Sequence, residues 1–453
     1  MWLALLMVAA MTVGTSVWAG FRASAGSFWM NYRATPLWML AMSCAATQVG
    51  AGAIIGLASA TVQSGTGFAL VSLLSTIGGF LVMAMIGPEL KAFGDAAQAT
   101  TIGDFLGARL GRGSQVSGGL VVSLTYLFLV AAQFEAFRDI FGIVTTAPSW
   151  AFHIAAAFVI IYTAWLGMRG DIVSDVLEFA VKFVVLIGLG FYSLTTRFGL
   201  GAIGVGVSHE ILSPLKFGGW TFVILGFLFG ASVPLLQPEI WFRVYSSRNT
   251  KDAKLVFVWA ALLVLPFYVF ALSLGFCSSL AGPISKSADQ HVVNTLLTSM
   301  PHFGAMICFA GLSAVILSCV NSLILAVSFA IHRDILGRST TENSSLKSVR
   351  LLTIIAGAAG VIMADMSRDI VHLLLNCFYG LLVLGPALLG AALRTRTSPL
   401  AGPISIVAGY ATTLAALASM PGQAFLPGLI VSAISFYGIT GAWARHSKAR
   451  GKA

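Results

Sequence analysis

In a chain whose residues are 58% hydrophobic and only 9% charged, charged and amide side chains inside apolar runs are the ones with chemistry to do. Asp175, Glu178 and Lys182 share one such run, and Glu135, Arg138 and Asp139 stand near the end of another. A charge in hydrocarbon is costly, so these groups face a bundle interior or water, where they handle ions or protons. Glu178 and Lys182 are four residues apart and can pair on one helix face. Asp175, one turn earlier, has no cation of its own at such a spacing. Its carboxylate is a hard ligand of the kind sodium favours, or a seat for a proton. Ser318, Asn321 and Ser322 put two hydroxyls and an amide in the middle of a third run, with Cys319 beside them. A lone helical hydroxyl commonly bonds back to the preceding turn, which accounts for any one of these serines taken singly. His153 and His372 lack a histidine or carboxylate at ligand spacing and read as interfacial or packing residues. The five cysteines, Cys44, Cys277, Cys308, Cys319 and Cys377, lie in apolar runs without metal-ligand spacing and read as small buried residues.

The element that must position this chemistry is the run Ala46-Thr47-Gln48-Val49-Gly50-Ala51-Gly52-Ala53. Two glycines and a glutamine at mid-depth are poor material for a continuous lipid-facing helix, because glycine costs helix stability and the amide needs a partner. Irregular backbone at membrane depth is tolerated only where protein or a wet cavity covers it, and interrupted helices of this kind surround ions and solutes in secondary transporters. A close-packing seam of small residues is the competing explanation. Residues 217–243 carry a second interruption signal, Gly226, Gly230, Pro234 and Pro238. Each proline removes a backbone donor and crowds the preceding turn.

Apolar runs of about 20 residues recur from end to end, each matching a bilayer core, so the chain is an all-α polytopic membrane protein. Thirteen spans are expected, at about 2–22, 38–64, 66–88, 115–142, 148–168, 171–195, 217–243, 254–282, 303–332, 348–366, 369–393, 400–419 and 424–443. The net charge of +10 points to membrane topology rather than to nucleic acid. With Met1 outside, the inner side collects most of the 26 Lys and Arg, Arg243 and the tail Arg445–Lys452 among them. The outer side keeps only Arg197, Lys216, Lys286 and Arg368. That asymmetry predicts an outer N-terminus, an inner C-terminus and an odd number of spans. Met1–Gly20 has no basic leader, and Arg22 and Arg33 follow it, which favours a retained first helix over a cleaved signal. No GxxxxGK[ST] phosphate loop is present, so ATP-driven transport by this chain alone is not expected. The interruptions, five spans apart, suit two inverted five-helix halves.

Four blocks carry a family resemblance. They are Thr101-Ile102-Gly103-Asp104-Phe105-Leu106 with Arg109; Leu166-Gly167-Met168-Arg169 through Ser174-Asp175-Val176-Leu177-Glu178; Pro238-Glu239-Ile240-Trp241-Phe242-Arg243 with Ser246-Ser247-Arg248 and Ala253; and Ser313-Ala314-Val315 through Ser318-Cys319-Val320-Asn321-Ser322 with Arg333-Asp334. In type and order they resemble the sodium:solute symporter family, as does the segment Phe21–Arg33. The resemblance implies a LeuT-type 5+5 inverted-repeat core, about 38–195 and 217–393, between a peripheral N-terminal region, 1–37, and peripheral C-terminal helices with a basic tail, 394–453. It implies a sodium ion between the first and eighth core helices, held by carbonyls of Ala46, Val49 and Val315, the hydroxyl of Ser318, and position 319. Asp175 matches the family's fifth-helix aspartate, associated with ion passage, and Glu178 stands where the family usually has glutamine.

Two departures bear on the ion. Position 319 is a cysteine, a soft ligand for a hard cation, and position 48 is a neutral glutamine where proline transporters carry an aspartate. Sodium is the expected coupling ion, with a proton, or no ion at all, as the alternative. Solute contacts are expected from Gln48, Gly50, Gly52, Ser72, Ser75, Gln133, Phe229, Asn376 and Tyr379. The resulting expectation is symport of a small organic solute across the cytoplasmic membrane, with no enzyme activity, no organic cofactor, no nucleic acid and no obligate protein partner. A receptor on the same scaffold that binds the solute without moving it is the reading from another class.

Overall fold

The computed structural model describes residues 24–50, 52–144, 149–199, 219–284, 287–342, 345–366, 377–393, 397–420 and 423–449, with Gly14 and Leu215. The expected first span, the loop 200–214, the histidine His372 and the candidate Asn376 lie outside the described residues. Among those described, every extended element is helical, as an apolar chain that must satisfy its own backbone requires.

The principal helices are α1 (Leu37–Gln48), α2 (Leu57–Ser64), α3 (Gly67–Ala97), α4 (Arg112–Val144), α5 (Ser149–Lys182), α6 (Gly219–Leu236) and α7 (Pro238–Ser246). They are followed by α8 (Thr250–Leu280), α9 (His302–Phe329), α10 (Ser345–Met366), α11 (Gly385–Ala392), α12 (Ala401–Leu417) and α13 (Phe425–Ala449). Among the described residues, seven continuous helices are long and apolar enough to cross a membrane, and α1 with the segment Gly52–Ser64 makes one further crossing bent by 59°.

The glycines make that bend. Helix α1 stops at Gln48, Val49 leaves helical geometry at φ −91°, ψ 68°, and the chain re-enters through one wide turn, Gly52–Gly56. The second interruption falls later than the glycines of α6 suggested. α6 runs through Gly226 and Gly230 to Leu236, Gln237 is extended, and Pro238 starts α7 at a position where its missing N–H costs nothing. The two spans expected at 148–168 and 171–195 meet at Gly167 (φ 60°, ψ −159°), where α5 breaks into two helical stretches, and the second continues from Lys182 into wide turns, Phe183–Gly190.

Packing divides the core in two. Helices α1, α2, α3, α6 and α8 pack on one another, and α4, α5, α9 and α10 form a second group. Helix α1 touches both, lying against α8 on one side and α5 and α9 on the other. Helix α9 is the most enclosed of the spans, whereas α6 turns Ile224 and Leu228 outward, as a lipid-facing helix does. The functional residues sit on the seam between the groups.

Candidate ion and solute site

Where α1 ends, its last carbonyls run out of helical donors and must be satisfied from elsewhere. The partners come from α5 and α9. Lys182 Nζ donates to Ala46 O at 2.7 Å, to Val49 O at 3.3 Å and to Ser318 Oγ at 2.9 Å. Ser318 Oγ also lies 3.4 Å from Ala46 O and 3.0 Å from Val315 O. The Cys319 thiol donates to Thr47 O at 3.2 Å. Ala46, Val49 and Ser318, three of the five residues expected to hold sodium, converge, and Val315 O is joined to them only through Ser318, one turn along the same helix. What bridges the three is an ammonium group from the chain itself, fully buried, whose three N–H bonds match three acceptors.

Lys182 was expected only to pair with Glu178 along its own helix. Its side chain instead crosses to α1 and α9, because four methylenes carry the ammonium well beyond the helix surface. Glu178 is buried one turn earlier and within electrostatic reach of Lys182.

Asp175 does have a cation. Arg243 Nη2 donates to Asp175 Oδ2 at 2.7 Å and to Asp171 Oδ2 at 3.1 Å. Arg243 also reaches Ser43 Oγ (3.1 Å), Thr47 Oγ1 (3.1 Å) and Ser322 Oγ (2.9 Å). Ser43 donates to Asp175 Oδ2 at 2.5 Å, and Ser322 to both oxygens of Asp171, at 2.9 and 2.8 Å. One guanidinium thus ties α7 to α1, α5 and α9. Arg243, counted from sequence among the inner-side cations, is completely buried. Nearby, Tyr126 of α4 donates to Glu239 of α7. Asp171, Asp175, Glu178 and Glu239 cluster with two buried cations, Arg243 and Lys182.

The two interruptions meet directly. Gln48 Nε2 donates to Gln237 Oε1 at 2.7 Å, so each amide satisfies the other at the point where its helix breaks. Gly50 faces Cys319 and Gln133, and a Cβ there would lie 2.9 Å from Cys319 Sγ and 3.8 Å from the Gln133 amide. Gln133 is buried with its Oε1 carrying no hydrogen bond, aimed at this gap. Gly52, partly exposed, opens the wide turn. The other solute candidates are more dispersed. Ser75 Oγ is committed to the carbonyls of Gly226 (3.2 Å) and Phe227 (3.5 Å), joining α3 to α6, and Ser72 is half-buried one turn before it. Phe229 and Tyr379 gather round Phe425, with ring centroids 5.0 and 5.2 Å from it.

After α3, Thr101 and Asp104 of the first family block form a reciprocal cap on the helix Ile102–Leu110. Asp104 also pairs with Arg333 at 2.8 Å, and Thr101 donates to Asp334 at 2.6 Å. The block therefore fastens the loop after α3 to the end of α9. Near the end of α4, Arg138 pairs with Glu135 and with Asp365. His153 lies 3.0 Å from Asp365, so the carboxylate it lacks in its own stretch comes from α10.

Lys182, Arg243, Asp171 and Gln237 were missed by sequence reasoning. For Gln237 and Arg243 the available signal was adjacency to Pro238; for Lys182 it was a charge at mid-span beyond what one neighbour explains.

Comparison with known proteins supports the fold. Over 98% of the chain, the fold superposes on a substrate-bound outward-open Na+-coupled sialic acid symporter, with a TM-score of 0.83, 16% identity and 97% of that chain covered. A nucleobase-cation-symport-1 family transporter, in a closed conformation with bromovinylhydantoin bound, matches at a TM-score of 0.57 and 13% identity, covering 93% of this chain and 95% of the other. In sequence, the osmoregulated proline transporter OpuE of Bacillus subtilis is 20% identical over 464 residues, covering 96% of this chain and 92% of its own. The sodium/pantothenate symporter of Escherichia coli is 23% identical over 469 residues, covering 93% and 92%. These matches are to transporters, not enzymes. With the sodium:solute symporter family model matching residues 28–382, the chain belongs to the sodium:solute symporter family.

Proposed function

We propose that this chain is a symporter of the cytoplasmic membrane, coupling the entry of a small organic solute to sodium by alternating access. The observation that carries the reading is the meeting of two broken helices, joined by Gln48 and Gln237, next to the Ala46 carbonyl turned toward Ser318. Residues 38–195 and 217–393 serve as the inverted halves, with 1–37 and 394–453 peripheral, the N-terminus outside and the C-terminus inside. The oxygen atoms of Ala46, Val49, Val315 and Ser318 serve the cation, with Cys319 at the edge of that set. Asp175 and Glu178 make the region attractive to positive charge.

The solute contacts Gln48, Gly50, Gly52 and Gln133, with Phe229 and Tyr379 as an apolar wall and Ser72, Ser75 and Asn376 around it. A glutamine at position 48 offers no charge to an amine, so a neutral or anionic solute suits the site. A carboxylate on such a solute would dock on the donors freed by the interruption. A cation gripping both α1 and α9 holds the two helix groups in one relation. Coupling follows only because ion and solute bind the outward and inward arrangements unequally.

The test is uptake of labelled candidate solutes into proteoliposomes under an imposed sodium gradient and, separately, an imposed proton gradient. Candidates come from a thermal-stability screen of a solute library. Uptake following the sodium gradient supports the reading, and uptake following the proton gradient alone reassigns the ion. Saturable solute binding with no flux under either gradient defeats it in favour of a receptor.

A further inference from the structure

The ammonium of Lys182 occupies the place where a free cation would have to sit. A hard cation on oxygen ligands lies about 2.3–2.6 Å from each. An ion at that distance from Ala46 O, Val49 O and Ser318 Oγ would overlap a nitrogen that is itself 2.7, 3.3 and 2.9 Å from the same three atoms. Two positive charges also repel strongly where water is absent.

We propose that Lys182 is a tethered occupant of the cation site, so that its ammonium and a free sodium ion exclude each other. This rests on the symport reading above and adds to it a resident occupant of the same site, the chain's own ammonium.

The local structure supplies the means. Lys182 is the last residue before the wide turns Phe183–Gly190, and such turns inside helices mark places where a helix changes its register and often its function. Glu178, one turn earlier on the same face, gives the withdrawn ammonium a carboxylate within helical reach. The titratable and charged groups facing Lys182 are Asp175 and Glu178 on its own helix and Cys319 on α9. Behind them lie Asp171 on α5, Arg243 and Glu239 on α7 and Cys44 on α1. Asp175 and Asp171 pair with Arg243, whereas Lys182 bonds to the carbonyls at the end of α1 and to Ser318 on α9.

The experiment measures sodium binding apart from transport, by thermal unfolding of the purified chain in detergent with sodium chloride titrated against choline chloride. In Lys182→Met, the sodium concentration for half-maximal stabilisation should be at least about tenfold lower than in the unmodified chain. Should that variant not fold, Lys182→Gln is compared in its place. A sodium affinity equal in the variant and the unmodified chain would overturn the proposal. Uptake distinguishes this failure from failure of the symport reading. Gradient-driven uptake with equal sodium affinities leaves the symporter and removes the exclusion. A tighter sodium affinity in the variant without uptake under either gradient does the reverse.

Discussion

Replacing Arg243 by methionine removes one charge from a place where nothing can substitute for it. The guanidinium is fully buried and pairs with Asp175 at 2.7 Å and Asp171 at 3.1 Å. The hydroxyls it touches are not left stranded: Ser43 still donates to Asp175, Ser322 to Asp171, and Thr47 to Ser43 O. The lost hydrogen bonds are therefore a minor part of the cost. The major part is two carboxylates held without a counter-charge, and breaking a buried pair on one side costs about 3–5 kcal/mol. Methionine nearly matches the volume of the aliphatic stem, so cavity formation adds little. Thermal unfolding of the detergent-solubilised protein should register the loss. The double change Arg243→Met with Asp175→Asn should recover a substantial share, because Ser43 can donate to the new carbonyl and one orphan charge is gone. A single-variant loss below about 1 kcal/mol, or no recovery in the double variant, would show that uncompensated charge is not what the arginine prevents.

Gly50→Ala places a methyl 2.9 Å from Cys319 Sγ and should cost about 1–3 kcal/mol through overpacking; Cys319→Ala in the same chain should restore most of it in a melting assay, and an unchanged deficit would refute the contact. Gly167→Ala forces a side chain into φ 60° and sets its Cβ 2.5 Å from Phe28, so strain alone should lower stability by about 1–3 kcal/mol; a variant that melts with the unmodified chain would contradict the turn. Ser318→Ala removes one of three acceptors from a buried ammonium and should cost about 1.5–3 kcal/mol. In a Lys182→Met background the same change should be nearly neutral, and additive losses would show that the two side chains do not interact.

How much of this was legible in the sequence depended on whether a residue's partner was local. Gly50, Gly52 and Gln48 announce an interruption because they conflict with the apolar run around them, and the bend is there. The convergence of Ala46, Val49 and Ser318 was readable only through resemblance, since nothing in helical periodicity brings position 46 to position 318. Lys182 was misread for a specific reason. Glu178 at i−4 supplied a sufficient local explanation, so the longer reach went unconsidered. Arg243 looked like a loop cation after a hydrophobic stretch, yet α7 is a nine-residue helix buried along its whole length. Its depth is set by the turn at Gln237, and turn geometry is not written in composition. Asp171, lying just past the glycine turn at 167, was hidden in the same way.

The contact between α3 and α6 has a mechanical consequence. A Cβ on Gly79 would fall 2.6 Å from Pro234, and one on Gly230 would fall 2.5 Å from the Ser75 hydroxyl. Glycine main chain on one helix therefore rests on a proline ring or a serine of the other, with no long, deformable side chain between them to take up slack. Such a joint transmits displacement without damping, so a tilt of the half-helix that ends at Gln237 would drag α3 along with it. A motion begun at the bilayer's midplane would then reach the far end of α3, at Ala97, as the swing of one stiff lever.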